Sequence, residues 1–224
     1  MKSALIIFAI SIAPILLFAQ QPSMSPEKYK EDFEFFWKSI NDEYCYFGKK
    51  QTDWEKVKEI YGPLMDTVTT RDQFVSILEK AIYEIYDHHA GLNTNTAKSQ
   101  RVVPTGADMW AEYVDGKPVI TEVKTGLGAG SCGIVAGMEV ISINDVPVNV
   151  AVDRFLPKSL KHPDVEARSF TLRQLLAGNH STPRKLSLKY NGATTDYFPD
   201  RNGFLVDNIK YPSMVETRMF GQVG

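Results

Sequence analysis

The sequence is poor in cysteine: its 224 residues include only two, Cys45 and Cys132. Two cysteines cannot form the multiple-disulfide framework that stabilises small secreted domains. They also fall in different predicted structural units, so we expect both thiols to be free and packed. No cysteine directly follows the N-terminal apolar run, which argues against a lipid-modified N-terminus.

The sequence also has no large excess of positive or negative charge. Lysine and arginine number 25 against 27 acidic residues, which gives a formal net charge of −2. No basic face is implied, so we expect no nucleic-acid partner. The four histidines lack the spacing of a helical zinc pair, and we expect neither a metal site nor a cofactor. The hydrophobic fraction of 43% is typical of a globular chain.

Long hydrophobic runs are missing beyond the N-terminus. There, Lys2 precedes an apolar stretch over residues 4–18, and the small residue Ala19 is followed by polar residues. This order predicts a signal peptide over residues 1–19 and export to the periplasm or the extracellular space. An uncleaved anchor is the alternative, but Pro14 interrupts a run already short for a span, so we expect no stable membrane span after cleavage.

Residues 22–98 carry three helix-start signals. Ser25 is a typical N-cap before a proline, while Thr52 and Thr70 each open a capping box. An aromatic and apolar stripe at helical spacing follows the first signal: Tyr29, Phe33, Phe36, Trp37, Ile40 and Tyr44. Three amphipathic helices must bury such faces against a neighbour, so we assign the stripe to the core.

The pattern changes to strands from residue 101. Two strands flank Asp115-Gly116, a strong hairpin signal, and Asn191-Gly192 marks a second hairpin. Between them we predict strands at 140–143 and 146–148 and a helix over 170–177 closed by Gly178. The sequence therefore predicts an α+β fold, with a three-helix region followed by a small β module. We divide the chain into 1–19, 22–98, 101–198 and a linker-like tail, 199–224.

The glycine-rich stretch 128–133 matches a dinucleotide-binding pattern only weakly. A nucleotide-dependent enzyme would need a long helix over 134–145, where we predict a turn and a strand. Ser131 lacks the flanking glycines of a nucleophile elbow, because residue 129 is alanine. We interpret the stretch as a turn of small residues.

Two adjacent histidines, His88 and His89, follow Asp87 at the predicted end of the third helix. A general base could be presented there to a neighbouring domain. A histidine near a helix C-terminus is equally a routine structural residue. The residues alone favour the structural interpretation.

Three segments of the β module, 119–123, 133–138 and 140–148, together resemble a bacterial PDZ domain. Met138 and Asp145 depart from that family's usual turn residues. The resemblance implies that an extended peptide adds a strand to an open sheet edge while loop amides bind its carboxylate. The corresponding peptide-binding positions are Gly106, Ala107, Asp108 and Met109. A purely architectural module is the alternative, because Asp108 would repel a carboxylate.

Helices that end in Asp87-His88-His89 before such a module resemble the front of peptidase family S41, the C-terminal-processing or tail-specific serine proteases, in particular the tricorn-type branch. That resemblance spans about residues 27–224 and implies polypeptide substrates, with His89 as the general base and His88 as the fallback. In the other branch a lysine is the base, and His89 would then be structural.

The nucleophilic serine of that family lies in a catalytic domain after the PDZ domain. Residues 221–224 resemble the entry to its first strand, so we expect this chain to be an incomplete peptidase that is inactive alone. The alternative is a stand-alone exported PDZ module that binds peptide termini.

Overall fold

The computed structural model describes residues 24–208, and the predicted signal peptide and the end of the tail lie outside them. The helical region contains α1 (Pro26–Glu43), α2 (Trp54–Tyr61) and α3 (Arg71–Tyr83). Short 3-10 turns at Phe47–Lys49 and Gly62–Thr67 connect them.

Two of the three helix-start signals are confirmed. The Ser25 side chain accepts the Lys28 N–H at the start of α1, and Thr70 forms a reciprocal capping box with Gln73 before α3. The aromatic stripe of α1 packs into the helical core, as predicted. That core is completed by residues from α2, α3 and the connecting turns: Trp54, Val57, Tyr61, Met65, Val68, Ala81 and Ile85.

The second start signal was assigned to the wrong residue. Asp53, not Thr52, caps α2 by accepting the Lys56 N–H. Thr52 is buried instead, where its hydroxyl donates to the Glu84 carbonyl and its backbone forms a β-bridge with Leu160 of the β module. A contact from a distant segment therefore displaced the cap by one residue.

The third helix also ends earlier than predicted. α3 stops at Tyr83, and Tyr86 adopts a left-handed conformation with φ 43°. His88 and His89 consequently lie in a turn beyond the helix, not at its C-terminus.

The β module is one antiparallel sheet. Its strands are β1 (Met109–Val114), β2 (Lys117–Val123), β3 (Glu139–Ile143), β4 (Val146–Pro147), β5 (Leu186–Tyr190) and β6 (Ala193–Tyr197). The order is β1-β2-β3-β5-β6, with β4 paired to β3. Both predicted hairpins are confirmed, and Asp115, Gly116, Asn191 and Gly192 all have positive φ.

Three helices accompany the sheet: α4 (Gly128–Ser131), α5 (Val148–Phe155) and α6 (Val165–Ala177). The predicted strand at 146–148 ends at Pro147, and α5 was not predicted. α6 begins five residues before the predicted helix, because Asp164 caps it by accepting the Glu166 N–H. Gly178 ends α6 with φ 69°, as predicted.

These elements confirm the predicted α+β class and the order of a helical region before a β module. A 3-10 turn at Leu205–Asn208 closes the described chain. Among residues 24–208, no helix combines the length and apolar character needed to cross a membrane.

The nucleotide-binding hypothesis is wrong in its structural requirement. Strand β3 occupies the segment where that hypothesis needs a long helix. Gly128 has a packing role instead, since a Cβ at this position would overlap the Pro199 carbonyl and press on Asp108 Oδ2. The glycine lets two backbones approach closely.

Both cysteines are free, as expected. Cys132 is half-buried in the β module, but Cys45 is exposed, so the prediction that both thiols are packed was wrong for Cys45. Cys45 follows the last turn of α1, where the apolar stripe has already ended.

Candidate functional site

The two histidines that follow α3 differ in their surroundings. The His88 ring packs between Phe170 of α6 and Trp110 of β1, with ring centroids 4.6 and 5.3 Å away. Its Nε2 accepts a hydrogen bond of 2.8 Å from the Arg173 Nε–H. Because a guanidinium can only donate, Nε2 carries no proton, and the proton of the neutral ring lies on Nδ1.

Burial, and then the Arg173 cation, lower the pKa of His88 to about 4. His88 is therefore neutral at physiological pH, yet its lone pair is already used by Arg173. Its Nδ1 is buried and has no hydrogen-bond partner among the described residues. These constraints give His88 a structural position between the helical region and the β module.

His89 has different surroundings. It is exposed, and its backbone N–H donates to Asp87 Oδ1 at 2.8 Å. Within residues 24–208, no hydrogen bond engages its imidazole. Of the two predicted candidates for the general base, His89 is thus the one whose imidazole can reach a group outside the described fold.

The Asp87 carboxylate has a second partner. Its Oδ2 accepts the Tyr44 hydroxyl at 2.7 Å. Burial opposes ionisation of Asp87, but hydrogen bonds from the His89 N–H and from Tyr44, together with the Lys50 charge, outweigh it and keep the pKa of Asp87 below its usual value. Burial and Asp87 raise the pKa of Tyr44, so its hydroxyl stays a donor.

The predicted peptide-binding residues lie at the entrance to β1. Gly106 is partly exposed, whereas Ala107, Asp108 and Met109 are buried. Their role in binding a peptide stays a prediction. The next residue, Trp110, packs at a tilt against His88 and lies beneath the Arg173 guanidinium, so the two candidate regions adjoin through this ring.

Asp108 belongs to a buried ion network. Arg184 donates to both its oxygens at 2.8 and 3.0 Å and to both oxygens of Asp200 at 2.7 and 2.8 Å. Asp108 also accepts the Ala129 N–H. The Asp108 carboxylate is thus buried and paired with Arg184, while Asp200 also faces Arg101 at 3.6 Å. Asp200, assigned from the sequence to the tail, packs with the β module.

Helix α6 covers the outer edge of β1. The Tyr113 N–H donates to Ser169 Oγ at 3.0 Å, and Arg173 Nη1 donates to the Ala111 carbonyl at 3.4 Å. In an antiparallel edge strand, alternate residues direct these backbone groups outwards, where an added strand would pair. Here side chains of the same module occupy them.

Sequence reasoning missed Arg173 and Ser169. Their segment was assigned to a helix only from residue 170, and neither carries a recognisable motif. The one available signal was Arg173 among the leucines of the predicted helix, since a charged residue on a packed face needs a partner.

Comparison with known proteins bears on both parts of the chain. Residues 25–82 match the family described as the tricorn protease C1 domain. No curated protein matches the sequence. The helical region is therefore similar to a protease domain.

Solved structures extend the comparison. A CPAF mutant is 17% identical with a TM-score of 0.51, and the match covers 77% of this chain and 34% of CPAF. Mature CPAF complexed with lactacystin is 15% identical with a TM-score of 0.50, over 84% of this chain and 39% of CPAF. The photosystem II D1 C-terminal processing protease is 19% identical over 76% of this chain and 42% of its own, with a TM-score of 0.34.

The two CPAF matches establish a shared fold, and this chain spans less than two fifths of CPAF. The C1 match concerns residues 25–82, and its family is described as a protease domain.

Proposed function

We propose that this chain is the N-terminal portion of an exported S41-type serine endopeptidase that acts on polypeptides. In this proposal His89 is the general base for a serine nucleophile that lies outside residues 24–208. The β module is PDZ-like and guides or gates the substrate.

The observation that carries the proposal is the contrast between the two adjacent histidines. A general base needs a neutral imidazole with a free lone pair within reach of the hydroxyl that it deprotonates. Arg173 occupies the lone pair of His88, whereas His89 is exposed. The similarity of residues 25–82 to a protease domain supports a catalytic context for the turn that follows.

A base without a nucleophile cannot transfer an acyl group. The described residues place no serine hydroxyl in hydrogen-bond contact with the His89 imidazole. We therefore expect this chain alone to be inactive and the complete peptidase to require the serine and its oxyanion hole from a further domain.

The alternative, a stand-alone exported PDZ module that binds peptide ends, is less well supported. Strand addition to β1 would first have to displace Ser169 and Arg173 from the strand's backbone groups. A β module that guides or gates the substrate without strand addition to β1 is compatible with both contacts.

The test uses the complete reading frame that contains this chain, with cleavage of denatured casein as the readout. His89→Ala should lower kcat by about 10³-fold or more, because a catalytic triad loses most of its rate enhancement when any one member is removed. His162→Ala, which removes another exposed histidine, is the matched control and should retain activity.

A genuine stop codon after Gly224 in a stable protein would contradict the proposal. So would full activity of the His89→Ala enzyme. In the first case, binding of a C-terminal peptide library by the chain would favour the stand-alone module.

A further inference from the structure

We infer that Asp87, held by Tyr44, is a positioning residue that fixes the turn presenting His89. This inference rests on the proposed function of His89. The turn contacts three other parts of the molecule: the end of α1, the segment before α2 and the start of α6.

The turn begins with an unfavourable backbone conformation. Tyr86 is almost fully buried and has a φ of 43°, in the left-handed region that a bulky side chain rarely adopts. Such a conformation persists only where surrounding contacts over-determine it. The Tyr86 hydroxyl donates to Asp164 Oδ2 at 2.7 Å and accepts the Gln51 N–H.

A lysine attaches the same turn to α6. Lys50 Nζ donates to the Tyr86 carbonyl at 3.3 Å and to Glu166 Oε1 at 2.7 Å. The ammonium also lies 4.4 Å from the centre of the Tyr86 ring. The path of the chain before Asp87 is therefore set from both the helical region and the β module.

The Asp87 carboxylate then connects this fixed segment to His89. One carboxylate oxygen accepts the His89 N–H, two residues on, and the other accepts the Tyr44 hydroxyl. The Tyr44 ring is itself held edge-on against Phe47, with centroids 4.9 Å apart. Because the carboxylate is planar, fixing one oxygen at α1's C-terminal end restricts where the other can hold His89.

The step that matters is orientation and not proton transfer. Asp87 contacts the backbone of His89, so it would not relay a proton from the imidazole. A displacement of about 1 Å at a catalytic group can lower a rate about 100-fold. Loss of the carboxylate should therefore reduce turnover without abolishing substrate binding.

The experiment combines two readouts. In the 224-residue chain, hydrogen exchange of the His89 amide should accelerate about tenfold in Asp87→Ala and less in Tyr44→Phe. In the complete peptidase, both changes should lower kcat about ten- to hundredfold with KM unchanged. Asp87→Asn, which keeps an acceptor for the His89 N–H, should partly restore kcat.

Tyr46→Phe is the matched control, because Tyr46 is exposed and its hydroxyl makes no hydrogen bond among the described residues. Unchanged His89 exchange in Asp87→Ala would overturn the inference. Wild-type kcat in Tyr44→Phe and Asp87→Ala, alongside an inactive His89→Ala, would overturn it while leaving the proposed function intact. An active His89→Ala would instead refute the proposed function, and the exchange rates would still decide whether Asp87 holds the turn.

Discussion

At the scale of single residues, the adjacent histidines His88 and His89 differ in burial and in hydrogen bonding. The sequence identified the pair His88-His89 as the candidates, and the resemblance favoured His89. What separates them physically is a hydrogen bond to Arg173, 85 residues away in the chain. No local pattern contains that information, because the pairing exists only once α6 packs beside the turn after α3.

The lowered pKa of His88 predicts a pH dependence of stability. The unfolded chain takes up a proton near pH 6.5, whereas folded His88 does so only near pH 4. The contribution of His88 to the free energy of unfolding is thus fully present above about pH 6.5 and is lost as the pH falls towards 4. We expect a loss of roughly 1–2 kcal/mol, since solvent screens a half-buried ring.

Urea unfolding between pH 4.5 and 7.5 measures this loss. His88→Gln keeps an acceptor for Arg173 without the titration, so its free energy of unfolding should vary less over this range. His89→Gln, at the exposed neighbour, should follow the wild type. An equal slope in wild type and His88→Gln would show that other groups cause the dependence.

At the scale of elements, local signals predicted what local interactions stabilise. Ser25 and Thr70 cap their helices with their own neighbours, and both hairpin turns use residues suited to positive φ. The prediction that Thr52 caps α2 failed because Thr52 forms a β-bridge with Leu160 instead. Helix α5 was missed because its valines alternate with other residues like those of a strand, and only packing against α6 and the sheet favours a helix.

Gly128, at the start of α4, gives a prediction at this scale. Gly128→Ala should destabilise the protein by about 1–3 kcal/mol, because the new methyl group would meet the Pro199 backbone rather than a flexible side chain. Gly48→Ala is the control, since nothing lies within 4 Å of a Cβ there. The thermal unfolding midpoints of the two variants test this prediction. Equal midpoints would mean that the Pro199 segment moves aside freely.

At the scale of the whole molecule, one buried arginine joins distant parts of the β module. Arg184 precedes β5, while its partners Asp108 and Asp200 lie before β1 and after β6. Burial opposes ionisation of Asp200, but its bonds to Arg184 keep the pKa of Asp200 below its ordinary value. No local sequence pattern indicates this network, because its members lie far apart in the chain.

Arg184→Met should destabilise the protein by about 3–5 kcal/mol, because it leaves the buried Asp108 carboxylate without its cation and leaves Asp200 with only Arg101, 3.6 Å away. Lys185→Met is the neighbouring control. Lys185 pairs with Asp145 and Asp196 at the surface, and its loss should change stability little. Urea midpoints compare the two, and similar values would show that Asp108 and Asp200 find other partners.

The helical region and the β module also share a hydrogen-bonded seam. Asp53 N–H donates to the Ser159 carbonyl, Lys161 N–H donates to the Gln51 carbonyl, and the buried Glu84 carboxylate accepts the Ser159 N–H. Glu84 accepts the Tyr61 hydroxyl as well. The turn that carries His89 lies beside this seam, so its geometry depends on both regions being folded.

The Arg184 network has a consequence for the order in which the chain folds. A polypeptide that emerges from its N-terminus presents Asp108 first, then Arg184, and Asp200 only 16 residues later. Until that last carboxylate arrives, Arg184 has one of its two acidic partners, and β6 has only just been completed. The β module therefore receives its closing interaction only after its last strand, β6, has been synthesised.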